Sequence, residues 1–321
     1  MMNIPKRGLS ARREIHIMGS DQRIVRCARV SFAKDEKIDK ERDIKLISYL
    51  YKNRHSSPFE HIIITYSASW DEYVSILERA NNPAINIHYS EGYIWLNFRH
   101  FVNLISLIPQ EVQTLVREKL PATFAIIEDK TPQEYSTDER FLKEKYDASC
   151  GWVGLVDKLE LNSKMDTYTF IVECPLFVAR QWQRHRFGSY NELSRRYTSI
   201  NPEFYIPKGL RSQSESNKQA SIEEFLPQEI SSEILNEINS IIQQSLLLYQ
   251  KMLSLNTARE IARGVLPLFL KTRFYWTVPR IALDNFLSLR LHESAQSEIR
   301  EFAALIKNMV GQKDLNTLMR L

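Results

Sequence analysis

Between Arg180 and Tyr197 the chain reads RQWQRHRFGSYNELSRRY: five arginines and His185 against a single acidic residue, Glu192. Cations that dense repel one another, so a fold has little reason to gather them unless an anion completes the site. Guanidinium groups stay charged at physiological pH and grip phosphate oxygens through paired hydrogen bonds. Gln181, Ser189, Asn191 and Ser194 add neutral hydrogen-bonding groups, and Trp182, Phe187, Tyr190 and Tyr197 add flat apolar faces. Fixed cations, neutral donors and rings are what a pocket for an aromatic ring bearing phosphate requires.

Two other readings of this stretch compete. A solvated basic face is usually lysine-rich with interspersed glutamate, because ion-pair spacing on helices favours that pattern. Here there is no lysine. Nucleic-acid binding would use backbone phosphates and ring stacking. The overall balance of 43 Lys+Arg against 39 Asp+Glu, a net charge of +4, is weak for a polyanion footprint.

A second group of polar residues lies upstream, in Asn53-Arg-His-Ser-Ser-Pro-Phe-Glu-His61. His55 and His61 bracket Glu60, which raises a zinc reading, but no third ligand stands nearby. A buried histidine with ordinary hydrogen bonds is the competing reading, and no metal is expected.

The two stretches together carry a resemblance. Arg184-His185-Arg186, seven residues, then Ser194 is similar to the signature of the flavin-dependent thymidylate synthases, and Ser189, Asn191, Glu192, Ser194, Arg196 and Tyr197 fit its longer form. His55 to His61 resembles the family's His-x-[Thr/Ser]-Pro-Phe-Glu-His loop. Ala262-Arg263, Leu266-Pro267, Thr272-Arg-Phe-x-Trp276, Asn285-Phe-Leu-x-Leu-Arg290 and Ala295-Gln296 extend the likeness. It covers about 20–66 and 168–310. Two positions depart from the pattern: Pro279 stands where an asparagine is common, and Ser294 where a histidine is common.

The resemblance implies an α+β fold, with helices packed on a small mixed or antiparallel sheet. It implies reductive methylation of dUMP to dTMP, with FAD as cofactor and NADPH and methylenetetrahydrofolate as co-substrates. Residue by residue, Arg184, His185 and Arg186 would meet the flavin, joined by His55, Ser57, Glu192 and Asn285. Gln181, Arg184, Glu192, Leu193, Ser194, Arg195, Arg196, Arg263 and Arg290 would bind dUMP, with Arg290 as the catalytic residue facing the uracil. A homotetramer with sites at subunit contacts is also implied. An inactive nucleotide- or flavin-binding relative and a basic nucleic-acid-binding module stay open as alternatives.

Elements must position these residues. A chain of 321 residues suffices for one large domain or one domain carrying an insertion. Only nine glycines favours helices, and neither GxGxxG nor GxxxxGK[ST] occurs. The spacing predicts helices over Asp21–Val30, Glu36–Lys52, Trp70–Ala80, Ile230–Leu253, Ile281–Leu289 and Ala295–Met309. Ile234, Ile238, Ile241 and Leu248 form one apolar stripe, and Thr257 to Glu260 reads as a capping box. Strands are predicted over Ile62–Thr65 and Thr272–Val278, with Tyr168–Arg180 carrying the chain into the arginine stretch. Residues 208–224 read as a polar loop. The likeness lapses over 67–167, which is expected to be a mostly helical insertion splitting a domain of 1–66 and 168–321, with no site residue in it.

Cys27, Cys150 and Cys174 are odd in number and widely spaced, so neither a disulfide framework nor a zinc site is expected. None has an activating neighbour, so the sequence offers no good thiol nucleophile. The N-terminus lacks the apolar core of a secretory signal, and no apolar run is long enough for a membrane span. The expectation is a cytoplasmic protein with no membrane and no nucleic-acid partner.

Overall fold

The computed structural model describes residues 12–80, 86–132, 135, 141–161, 163–198, 201–213 and 221–311. The chain opens with β1 (Ile15–Met18) and α1 (Asp21–Arg29), whose first turn is capped by the Ser20 hydroxyl accepting from Arg23 N. Next come α2 (Lys40–Lys52), capped by Asp39, a single tight turn at Ser57–His61, and β2 (Ile63–Ser67). The 67–167 segment forms α3 (Trp70–Ala80), β3 (Ile87–Ser90), β4 (Tyr93–Asn97) and α4 (Phe98–Leu104). It continues through α5 (Gln110–Lys119), α6 (Pro121–Ile127), β5 (Glu144–Ala148) and β6 (Gly151–Leu159). Then follow β7 (Thr167–Pro175), α7 (Leu176–Trp182), β8 (Ser189–Glu192), β9 (Arg211–Gln213) and β10 (Ser221–Phe225). Last are α8 (Gln228–Ser254), α9 (Arg259–Ala262), β11 (Lys271–Pro279), α10 (Arg280–Arg290) and α11 (Ser297–Val310).

The fold is α+β, but the sheet is not single. One four-stranded sheet has the order β1-β2-β4-β3 and a five-stranded sheet the order β5-β6-β7-β11-β8, with β9 and β10 as a separate ribbon. Every strand pair is antiparallel. Helix α1 lies between the two layers. Ile24, Val25 and Ala28 join the core of the first sheet, while Cys27 packs with Val156, Ile171 and Tyr275 of the second. That two-sided burial explains why Asp21 through Ala28 are all buried, charged residues included.

The segment expected as a mostly helical insertion carries helices α3 to α6 and, beside them, strands β3 to β6. It supplies β4, an interior strand of the first sheet, and β6, an interior strand of the second. Buried polar contacts tie it to the rest of the chain. Asp21 accepts from the backbone N–H groups of Ala122 and Thr123, 3.0 Å each, and from the Thr123 hydroxyl. Arg23 pairs with Asp157 on β6 at 3.4 Å, and the Tyr135 hydroxyl donates to Asp43. Such pairing is long-range, so the local pattern of the segment did not reveal it.

Three further expectations are corrected. The helix expected from Glu36 begins at Lys40, because the Asp39 side chain caps it by accepting from Arg42 N. Thr257 does not cap α9, whose first turn follows Ala258 with no side-chain cap. The apolar stripe of α8 faces solvent in the single chain, with Ile234, Ile241 and Leu248 exposed at 36%, 56% and 47%. Within the polar stretch 208–224, strands β9 and part of β10 form, and residues 214–220 lie outside the described residues.

Candidate active site

The arginine stretch begins on α7 and turns back at Gln183 to Gly188 before entering the sheet as β8. Trp182, fully buried, anchors this turn through ring contacts with Phe274, Trp276, Phe286 and Phe302 at 4.9–5.6 Å. The turn runs close over β11: a Cβ at Gly188 would lie 2.8 Å from Trp276 Nε1 and 3.0 Å from the Thr277 carbonyl. Tyr190 donates its hydroxyl hydrogen to the His185 carbonyl at 2.8 Å. With Trp182 and His185 held inward, Arg184 and Arg186 are left exposed on either side of His185.

Arg290, the last residue of α10, reaches this turn. Its Nε donates to His185 Nε2 at 3.0 Å and its Nη2 to the Gln181 carbonyl at 3.1 Å. Burial and the adjacent Arg290 charge lower the His185 pKa to about 4. His185 is therefore neutral, accepts at Nε2 and carries its proton on Nδ1. The Gln181 side chain donates to Gln296 Oε1, so three of the residues expected at the site (Gln181, His185 and Arg290) meet here, with Gln296 as a fourth.

Glu192, at the end of β8, forms a second node. Its carboxylate accepts from Gln183 Nε2 at 3.0 Å and from the Thr272 hydroxyl at 2.6 Å, while its carbonyl accepts from Ser31. Both carboxylate oxygens are thus engaged within the chain, and Glu192 pins the arginine turn to β11. Ser194 N donates to the Ser31 carbonyl at 3.0 Å, and Ser194 Oγ accepts from Arg196 N. Thr272, Gln183 and Ser31 were not singled out from the sequence; Thr272 was visible only as part of a matched motif.

His61 forms the third node, with both ring nitrogens engaged by side chains. It is fully buried, with Nδ1 2.8 Å from Thr277 Oγ1 and Nε2 beside Asn191. The Asn191 amide is best oriented with its nitrogen donating to His61 Nε2, at 3.1 Å, and its oxygen accepting from the Ser57 hydroxyl. Burial, reinforced by Arg23, lowers the His61 pKa to about 3. This neutral imidazole fastens the His55–His61 loop to β8 and β11. His55 and Ser57 remain exposed on that loop, with the Tyr49 ring edge-on to His55 at 5.7 Å. Among the described residues no cluster of three metal-ligating side chains occurs.

The other expected residues are spread more widely. Arg263 is exposed at the turn after α9, and Asn285 is exposed on α10. Arg195 is buried, and burial lowers its pKa against the opposing influence of Tyr249 and Glu203. Arg196 donates to the Tyr197 hydroxyl and lies 5.0 Å from that ring, which itself stacks on Phe32. Beside Arg196 opens a pocket of about 560 Å³ that also involves Tyr197, Asn256, Thr257 and Arg259.

Among the described residues no acidic side chain forms an ion pair with Arg180, Arg184, Arg186 or Arg263. Arg184 and Arg186, exposed and without a carboxylate on either side of a neutral imidazole, form a donor set suited to an anionic group such as a phosphate or pyrophosphate. The cysteines offer no competing chemistry: all three are buried, and burial raises the thiol pKa of each, that of Cys150 to about 12.

The family model described as "Thymidylate synthase complementing protein" matches residues 15–75 and 163–314. A flavin-dependent thymidylate synthase of Aquifex aeolicus is 52% identical over 309 residues, 94% of this chain and 97% of that protein. One from Thermosipho africanus is 44% identical over 146 residues, 46% of this chain and 64% of its own length. The Aquifex match is too long to omit the segment that the family model leaves out, so that relative shares it. A UMP/dUMP methylase of Streptomyces cacaoi shows a loose structural likeness, with TM-score 0.42 at 21% identity over 94% of this chain and 90% of that one, and bears no weight here. With the family model covering more than half of the chain and half of all positions shared with a full-length relative, the chain belongs to the flavin-dependent thymidylate synthases, which methylate dUMP to dTMP.

Proposed function

We propose that the arginine turn, the His55–His61 loop and the end of α10 form one site at which FAD and dUMP meet, with NADPH as reductant and methylenetetrahydrofolate as carbon donor. The observation that carries this reading is the arrangement of Arg184 and Arg186, exposed and unpaired, around a neutral His185 hydrogen-bonded to Arg290. Arg184, His185 and Arg186, with His55, Ser57 and Asn285, would hold the flavin, and Glu192 would fix their turn. Gln181, Arg184, the segment 192–196, Arg263 and Arg290 would take dUMP. When bound, reduced flavin supplies the electrons for the reductive step.

Arg290 is the residue we assign to the pyrimidine. C5 of uracil becomes nucleophilic as negative charge builds on the N3–C4–O4 side. An arginine stays charged at physiological pH and so cannot act as a base, but it can stabilise that charge as a fixed cation. The two hydrogen bonds from Arg290 to His185 and Gln181 orient its guanidinium before substrate arrives.

Assembly into a homotetramer belongs to the same reading. The exposed Ile234, Ile241 and Leu248 on α8 are a large apolar face for a 27-residue helix to leave in water. Arg263, at the foot of that helix, would then complete a site on a neighbouring copy. A cytoplasmic location fits three buried free thiols, and no helix among the described residues is long and apolar enough to cross a membrane.

The test is a reconstituted assay with purified protein, FAD, NADPH, methylenetetrahydrofolate and dUMP, read as dTMP by chromatography. Product that requires all four supports the reading. Protein that binds FAD yet forms no dTMP would point to an inactive relative.

A further inference from the structure

The segment 67–167 was expected to hold nothing of the site, yet its β3–β4 hairpin reaches the arginine turn. Phe187 follows Arg186 directly. Its ring lies 4.7 Å from the His88 imidazole of β3, tilted at 48°, and 6.2 Å from Trp95 of β4, edge-on. His88 and Trp95 contact one another at 5.6 Å. Trp95 is buried and anchored by its indole N–H, which donates to the Thr167 hydroxyl at 2.9 Å. Phe187 also packs on the cluster of Met18, Ile63, Trp95 and Met165, so it is the point at which the turn rests on the first sheet. On the other side, Gly188 is pressed against β11 of the second sheet.

We infer that His88 is a positioning residue for the flavin-binding turn, acting through Phe187 to fix the direction of Arg184 and Arg186. This rests on the assignment of FAD to that turn. Two exposed arginines on a short turn have no internal partner to orient them. The turn is held instead at Trp182 below, at Gln183 through Glu192, at His185 by Tyr190 and Arg290, and at Phe187 through the hairpin. Release of the contact at Phe187 leaves Arg186 adjacent to a mobile residue, and ordering it again on ligand binding reduces affinity.

The experiment compares FAD binding by the wild-type chain, His88→Ala, His88→Phe and Phe187→Leu, prepared flavin-free and titrated with FAD by fluorescence quenching. The expected result is a Kd raised about three- to tenfold in His88→Ala and Phe187→Leu, the size of one lost ring contact. His88→Phe should restore the Kd to within about twofold, because a ring again meets Phe187. The visible circular dichroism of the bound flavin should change in the first two variants and not in the third, a readout that general loss of stability would not move. An unchanged Kd and spectrum in both His88→Ala and Phe187→Leu would overturn the inference, as would failure of His88→Phe to restore binding. A wild-type chain that binds no FAD would overturn the functional assignment beneath it, which separates the two failures. Phe187→Leu keeps apolar bulk at the sheet, so the inference stays testable if His88→Ala does not fold.

Discussion

Arg290 and His185 are 105 residues apart in the chain and share one hydrogen bond, from Arg290 Nε to His185 Nε2 at 3.0 Å. The bond makes the middle residue of the Arg-His-Arg triplet the acceptor that orients the cation at the end of α10. It also requires a neutral imidazole, which burial and the arginine charge together enforce. Phe286, one turn before Arg290, closes the arrangement with its ring edge-on to His185 at 5.0 Å.

Replacing His185 by phenylalanine should keep the ring volume and remove the acceptor. Arg290 Nε would then be part-buried without a partner. Loss of a hydrogen bond to a charged group corresponds to about 1.5–3 kcal/mol, or roughly tenfold to hundredfold in dTMP formation. Steady-state kinetics with saturating FAD would show this as a fall in kcat; unchanged kcat would mean that His185 does not orient Arg290.

The two buried histidines give stability a definite pH dependence. His185 has its pKa lowered to about 4 by burial and Arg290, and His61 to about 3 by burial and Arg23, against an ordinary value of 6.5. Below pH 6.5 the unfolded chain takes up protons that the folded chain refuses, so both contributions are complete above that pH and decline as pH falls toward 4 and 3. The urea midpoint should therefore drop between pH 7 and pH 5. A His61→Gln variant should start lower and fall less steeply over the same interval. Equal slopes for variant and wild type would contradict the assignment of His61.

How much of this was legible in the chain differs by element. Helices α1, α3, α10 and α11 follow from local apolar spacing, and α3 was bounded at Trp70 and Ala80, as observed. The arginine turn was visible because its residues are adjacent in sequence, whereas Arg290, 105 residues from His185, was singled out only through the resemblance of Asn285-Phe-Leu-x-Leu-Arg290. The hairpins of 67–167 were not, because strand identity there depends on partners elsewhere: β4 pairs with β2, and β6 with β7. The α8 stripe was legible as amphipathic, but the exposure of Ile234, Ile241 and Leu248 was not, since spacing marks an apolar face without saying what packs on it. His88 gave no signal at all, because a lone histidine on a short strand carries no spacing rule.

Integration of the inserted segment predicts that the fold cannot dispense with it. Deleting 67–167 removes one interior strand from each sheet, the groups that Asp21 accepts from on α6, and the Asp157 carboxylate that pairs with Arg23. That deletion should yield insoluble or unfolded protein by circular dichroism. A milder probe is Asp21→Asn, which weakens the acceptor for the first turn of α6 and should cost about 1–3 kcal/mol in urea unfolding. A soluble, folded deletion that still binds dUMP would refute the integrated role.

The exposed face of α8 predicts self-association. Wild-type protein should run as a homotetramer in size-exclusion chromatography with light scattering, and Ile241→Glu with Leu248→Glu should shift it to smaller species. Dimers or monomers for the wild type, or no shift in the variant, would remove α8 from the interface.

Arg290→Ala tests the central claim most directly, measured as dTMP formation alongside bound FAD and NADPH oxidation in the same sample. Removal of one preorganised charge from a developing anion reduces turnover by about a hundred- to a thousandfold. The account predicts a loss of that order in dTMP, with FAD bound and most NADPH oxidation retained, and little recovery in Arg290→Lys because a point charge does not reproduce the planar fork. Near-normal dTMP formation by the alanine variant would contradict it.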